Sequence, residues 1–124
     1  MENKKIKSFT DLYVWQEGHK LVLNIYTMLT GFPKSESYAL TDQMRRCVVS
    51  ITSNIAEGFS RSGKKEKVQF YYMALGSVTE LQNQLLIARD LKYIDKIKFD
   101  EVAEQTVVVQ KLLNGLIRSI KSSY

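Results

Sequence analysis

The segment FDEVAEQTVVVQKLLNGLIRSI, residues 99–120, decides the fold class. One side of it repeats at alternating intervals of three and four residues, at Phe99, Val102, Thr106, Val109, Leu113, Leu116 and Ile120. This spacing produces a continuous seam on an α-helix, whereas a half-buried strand alternates every two residues. We therefore predict a helix over about 97–120, and the β-branched run within it belongs to the same helix.

Three earlier segments have the same helical spacing and complete a set of four. We predict them over about 10–29, 37–57 and 64–91. Their predicted core positions are, in order, Leu12, Trp15, His19, Val22, Tyr26 and Leu29; then Leu40, Met44, Cys47, Val48, Ile51 and Ile55; then Val68, Tyr71, Leu75, Val78, Leu81, Leu85 and Ala88. Ser8 and Asp11 have capping-box spacing before the first helix. Gly58 is predicted as the C-cap of the second helix.

Four amphipathic helices with short connections predict an all-α, antiparallel up-down-up-down four-helix bundle, formed as one domain over residues 1–124. The third helix is apolar on more than one face. Its apolar residues off the seam are Phe70, Tyr72, Met73, Leu86 and Ile87. A helix of this kind is buried on more than one side, so we expect the bundle to be oligomeric.

The composition of the 124 residues excludes several classes of protein. With 44% hydrophobic and 25% charged residues, the chain is ordinary for a globular protein. No window is long and apolar enough for a membrane span, and no apolar stretch follows the basic start as in a secretory signal. The single cysteine, Cys47, cannot form an internal disulfide. We expect a cytoplasmic location and no membrane partner.

The net charge of +5 is concentrated at one end of the predicted bundle. In an up-down topology the N-terminus, the turn between helices two and three, and the C-terminus share that end. Residues 1–8, 57–67 and 118–124 carry nine positive and three negative side chains, so the rest of the chain sums to −1. The predicted phosphate-binding residues are Arg61, Lys64, Lys65, Lys67, Arg118 and Lys121, with Arg45 as a further candidate.

The stretch from Gly58 to Lys65, GFSRSGKK, departs from the nucleotide-binding pattern G-x-x-x-x-G-K-[ST] only at its last position. A true phosphate loop follows a strand, and its Ser or Thr binds magnesium. Here the preceding segment is helical and Lys65 occupies the Ser/Thr position. We interpret the stretch as a turn between two helices whose lysines can still hold a backbone phosphate.

Catalysis and metal binding have little support in the sequence. His19 is the only histidine, and no Cys/His cluster accompanies it. Cys47 lies on the apolar face of helix two, where a thiol is inert. The Glu-x-x-His pairs of a di-iron bundle are missing. We expect a non-enzymatic protein without a cofactor.

Helix two has a polar stripe that includes Arg46, Ser50, Asn54 and Glu57. The stripe is either a solvated face or a polar network at a subunit contact. Arg46 and Glu57 are eleven residues apart, so they cannot pair with each other within one helix. The two interpretations stay open at the level of sequence.

Three segments, FTDLYVWQEGHKL, FPKSESYALTDQMRRCVVSITSNIAEGFSR and ALGSVTELQNQL followed by ARDLKYI, resemble the bacterial four-helix-bundle family of 23S rRNA intervening-sequence proteins. The family is often labelled S23 ribosomal protein and includes the accessory variability determinant of diversity-generating retroelements. The resemblance spans roughly residues 9–120, and QMRRCVVSITSNIAEG is its most specific part. It implies a ring-like homopentamer with a basic surface, nucleic-acid association and no known enzymatic activity.

Two functions remain in competition. In the first, the oligomer binds RNA or DNA through backbone phosphates at its basic end. In the second, the oligomer is a scaffold whose basic end docks an acidic protein or, as the resemblance implies for retroelement relatives, a reverse transcriptase.

Overall fold

A computed structural model describes residues 5–123 of the chain. Its elements are a 3₁₀ turn at Phe9–Asp11, α1 at Tyr13–Leu29, a 3₁₀ turn at Lys34–Glu36, α2 at Leu40–Ser60, α3 at Lys64–Asp90 and α4 at Lys96–Lys121. Each helix packs against the next, and α1 also packs against α4. No strand occurs between residues 5 and 123. The predicted all-α four-helix bundle is confirmed.

Hydrogen bonds between distant residues show that neighbouring helices run antiparallel. Asn24 in the second half of α1 donates to Gln105 in the first half of α4, at 2.6 Å. At the other end, the Lys64 ammonium at the start of α3 donates to the Ser123 carbonyl just after α4, at 2.8 Å. The chain therefore runs up, down, up and down through its four helices, as the short connections predict.

The core follows the predicted seams on α2, α3 and α4 closely and the predicted seam on α1 poorly. All six core positions of α2 are buried. On α1 the buried residues are Val14, Gly18, Leu21, Ile25, Met28 and Leu29, so the seam lies beside the predicted one. Gly18 explains the difference, because a Cβ there would lie 3.1 Å from Thr52 Cγ2, and the missing side chain lets α2 approach. His19 is exposed and stacks on Trp15 with ring centroids 4.7 Å apart.

Two helix boundaries differ from the prediction at their N-termini. The capping box of Ser8 and Asp11 forms, but it caps the short 3₁₀ turn, and α1 begins only at Tyr13. Helix α2 begins at Leu40 because residues 37–39 form a turn after the 3₁₀ turn at Lys34–Glu36, and Ala39 has a non-helical ψ of −108°. Both segments are short turns that the seam pattern alone does not separate from the helices.

The prediction that Gly58 is the C-cap of α2 is wrong. The helix continues to Ser60, and no glycine among the described residues has a positive φ. A Cβ at Gly58 would lie 2.6 Å from Tyr71 Cε1, which is closer than real contacts allow. Glycine is present here because the Tyr71 ring of α3 packs directly on the α2 backbone.

Candidate nucleic-acid interface

Three chain segments meet at the basic end of the bundle. The Lys64–Ser123 hydrogen bond places the start of α3 beside the end of α4. Phe9 and Ser60 line the same shallow depression, so the first turn lies beside the end of α2. Between residues 5–8, 57–67 and 118–123 there are eight positive and two negative side chains. The described structure therefore brings the predicted positive charge together at one end.

Lys67 has a structural role at this end. Its ammonium donates to the carbonyl of Phe59 at 2.7 Å and to that of Gly58 at 3.3 Å. These carbonyls belong to the last turn of α2, where backbone acceptors lack partners within the helix. Partial burial lowers the pKa of the Lys67 ammonium. Lys67 therefore caps α2. Its ammonium already bonds two backbone carbonyls, so fewer of its N–H donors are available for a phosphate.

Two of the other predicted cations rest on aromatic rings. The Arg61 guanidinium bonds Glu57 at 3.1 Å and lies 4.8 Å from the centre of the Phe70 ring. The Lys121 ammonium donates a hydrogen bond to the Tyr72 hydroxyl oxygen at 2.8 Å. These aromatic partners were not predicted from the sequence, because residues nine and forty-nine positions apart come into contact only when the helices pack. Rings of this kind hold the cations in place while their charge stays accessible.

Of the predicted phosphate-binding residues, Lys65 and Arg118 are the two whose positive charges are available. Both side chains are exposed, and within residues 5–123 neither has a hydrogen-bond, ion-pair or ring partner. Lys65 lies in the first turn of α3, whose N-cap residue Gly63 provides no capping side chain. The first amides of α3 therefore add their partial positive charge to the same surface.

Arg45 is separated from the other predicted cations. It lies 16 residues before Arg61 on α2, which is about 24 Å along the helix axis. Its guanidinium lies 5.7 Å from the centre of the Tyr26 ring of α1. The structure therefore places Arg45 on the side of the bundle and not at the basic end.

The polar stripe on α2 makes its hydrogen bonds within one chain. Arg46 pairs with Asp42 at 3.0 Å, and Glu57 pairs with Arg61, each four residues along the same helix. The Ser50 hydroxyl lies 2.9 Å from that of Ser77, and Asn54 donates to the Ser50 carbonyl at 2.9 Å. These ion pairs between residues four apart were not predicted from the sequence. They give Arg46 and Glu57 partners within one chain, without a second subunit.

The described residues contain no group of three or more His, Cys, Asp or Glu side chains placed to hold a metal ion. Burial raises the pKa of the Cys47 thiol to about 12, and its sulfur donates to the Ser77 carbonyl. A thiol of this kind is not a nucleophile. From residue 5 to residue 123, no helix has the length and hydrophobicity that a membrane span requires.

Comparisons with known proteins agree with the fold and with the resemblance seen in the sequence. Residues 10–115 match the family described as 23S rRNA-intervening sequence protein. A crystal structure of a protein with unknown function from the S23 ribosomal protein family of Bacteroides thetaiotaomicron superposes with a TM-score of 0.79 at 18% identity. The match covers 84% of this chain and 97% of the other, and at this identity it shows the fold alone. Comparison with curated proteins gives no match.

Proposed function

We propose that this chain, which belongs to the 23S rRNA-intervening sequence protein family, binds RNA or DNA through backbone phosphates at its basic end. The observation that carries the proposal is that the side chains of Lys65 and Arg118, beside the start of α3, have no partner within residues 5–123. Cations without internal partners neutralise phosphates without first breaking a bond in the protein. Lys64, Arg61 and Lys121 surround them and supply further positive charge.

The proposed interaction is with the backbone and not with base edges. Lysine and arginine contacts to phosphate position a protein on a nucleic acid but carry no sequence information by themselves. Preference for one nucleic acid then comes from its shape.

A homo-oligomer is part of the proposal. Four apolar side chains of α3 are between 41% and 52% exposed in the single chain, namely Tyr72, Met73, Leu86 and Ile87. Burying such a face against further copies removes apolar surface from water. Oligomerisation also repeats the basic end several times, so weak phosphate contacts act together. The pentamer implied by family resemblance is one such arrangement. The proposed function involves no catalytic step, no cofactor and no contact with a membrane.

The same apolar face supports a second candidate function, a scaffold for another protein. In that case the exposed side chains of α3 and the basic end dock an acidic protein or a reverse transcriptase. Purification from the native host after nuclease treatment separates the two functions. Protein partners that remain after complete nuclease digestion favour the scaffold, and loss of all co-purifying material favours nucleic-acid binding.

The direct test reverses the two unpartnered charges. We expect Lys65→Glu combined with Arg118→Glu to weaken binding to structured RNA and duplex DNA by at least about tenfold at low salt, since each phosphate contact contributes strongly there. Lys34→Glu combined with Lys92→Glu changes the net charge equally, and both of its positions are exposed and lie in connections at the opposite end of the bundle. Equal weakening by the two double variants would show that net charge, and not this surface, governs binding.

A further inference from the structure

A polar cleft of ≈ 550 Å³ runs along the side of the bundle between α2 and α3. Its walls combine one carboxylate, three side-chain amides, two hydroxyls and one guanidinium. The cleft is lined by Gln43, Arg46, Cys47, Ser50, Ser77, Glu80, Asn83, Gln84 and Ile87. Glu80 lies 15 residues after Lys65 on α3, about 22 Å along the axis, so the cleft is separate from the basic end.

Gln84 is the unusual residue of this cleft. It is only 5% exposed, although it is a polar residue on a wall open to solvent. Its amide nitrogen donates to Glu80 Oε2 at 3.4 Å, and its buried Oε1 accepts no hydrogen bond from any residue between 5 and 123. A buried acceptor without a donor costs stability, so such groups are rare in folded proteins. Gln84 therefore offers the cleft an acceptor that no donor of the described chain satisfies.

Glu80 adds a negative charge to the same wall. Within residues 5–123, no lysine, arginine or histidine forms an ion pair with it. Arg46 also lines the cleft, but its guanidinium pairs with Asp42 on the outer side of α2. The charge of Glu80 acts on Cys47, which also lines the cleft. Burial, together with this charge, raises the pKa of the Cys47 thiol. This wall therefore carries a negative charge that no cation of the described residues pairs with.

We propose that the α2–α3 cleft binds a guanidinium group. A guanidinium is planar and carries five N–H donors, so two can bond the Glu80 carboxylate side by side while others remain. The terminal torsion of a glutamine is soft, so the Gln84 amide can give up its bond to Glu80, which the guanidinium then holds, and turn its Oε1 towards a remaining donor. An ammonium group offers only three donors from one point and cannot match both acceptors as well. A phosphate is repelled by Glu80, which separates this site from the nucleic-acid surface.

The test is a titration with N-acetyl-L-arginine methylamide, followed by the side-chain amide NMR signals of Gln84 and Asn83. We expect saturable shifts, and the corresponding lysine compound should bind at least about tenfold more weakly. Glu80→Gln should weaken arginine binding by at least about tenfold, since it removes a charge-assisted pair. Glu104→Gln is the matched control, because it removes one exposed carboxylate from α4 and should change nothing.

Gln84→Met gives a second readout, the stabilisation of the chain by the ligand, that a purely structural role would not change. It keeps the side-chain volume and removes the unpartnered acceptor, so the thermal midpoint of the free chain should rise. The stabilisation of the chain by the arginine compound should fall in the same variant. A midpoint that falls, with ligand stabilisation unchanged, would overturn the role assigned to Gln84.

The guanidinium can be free or can belong to an arginine of a second copy of the chain. Light scattering on the wild type and on Glu80→Gln distinguishes the sources. Saturable binding without a change in mass supports a free ligand, and a lower mass for Glu80→Gln supports an arginine from a second copy. If the arginine and lysine compounds bind equally, or if Glu80→Gln changes neither the titration nor the mass, the proposal is wrong.

Discussion

Replacing Gly58 by alanine adds a methyl group where α2 and α3 pack most tightly. The new Cβ would lie 2.6 Å from Tyr71 Cε1 and 3.1 Å from Phe70 Cβ. The Tyr71 ring is 2% exposed, so it cannot turn into solvent and must displace other core atoms. We therefore expect overpacking at this position.

The size of the effect comes from two opposing contributions. Alanine in place of glycine inside a helix stabilises by about 1 kcal/mol. Overpacking a well-filled core costs about 1–3 kcal/mol. The expected net result for Gly58→Ala is a loss of about 1 kcal/mol in the free energy of unfolding, obtained from the middle of that range.

Gly76→Ala is the matched control on α3. No atom lies within 4 Å of a Cβ built at this exposed position, so only the helix preference of alanine acts. The control should therefore gain about 0.5–1 kcal/mol. Urea unfolding followed by far-UV circular dichroism, at one fixed protein concentration, measures both variants. If Gly58→Ala proves as stable as Gly76→Ala, the close approach of Tyr71 to α2 is not present in solution.

Three further changes test other local claims. Lys92 has a φ of 63°, so Lys92→Gly should raise the free energy of unfolding by about 1 kcal/mol in thermal or urea unfolding; a loss of stability would contradict that backbone geometry. At about pH 8 the native Cys47 thiol should not react with a disulfide reagent, because its raised pKa keeps it protonated while the unfolded thiol is close to its ordinary pKa; rapid labelling of native protein would refute its burial. Lys67→Met should lower the free energy of unfolding by about 1 kcal/mol through loss of the α2 cap, and unchanged urea stability would show that the cap contributes nothing.

Sequence patterns predicted the bundle well where each helix has one apolar stripe. On α2 all six predicted positions are buried, because no competing apolar stripe exists on that helix. On α1 two stripes overlap, and the choice between them depends on Gly18, whose missing side chain gives no apolar signal. The partner helix, which the pattern does not include, selects the stripe that becomes the core.

The sequence predicted the location of the candidate site better than it predicted the role of each residue in it. The up-down topology places the positive charges at one end, and the described helix ends agree with this. The roles of single residues depend on contacts across helices, as Lys67 shows by bonding the last carbonyls of α2. Gly58 makes the same point, since a glycine near a helix end suits a C-cap and a close contact equally well. Only the position of Tyr71 distinguishes the two.

The most direct test of nucleic-acid binding at the basic end is the salt dependence of affinity on nuclease-treated protein. The logarithm of the association constant for duplex DNA should fall linearly with the logarithm of salt concentration, with a slope of about −0.9 for each phosphate contact. With Lys65 and Arg118 both engaged, we predict a slope of about −1.8 or steeper per chain. No binding at low salt, or an affinity that does not change with salt, would contradict the account.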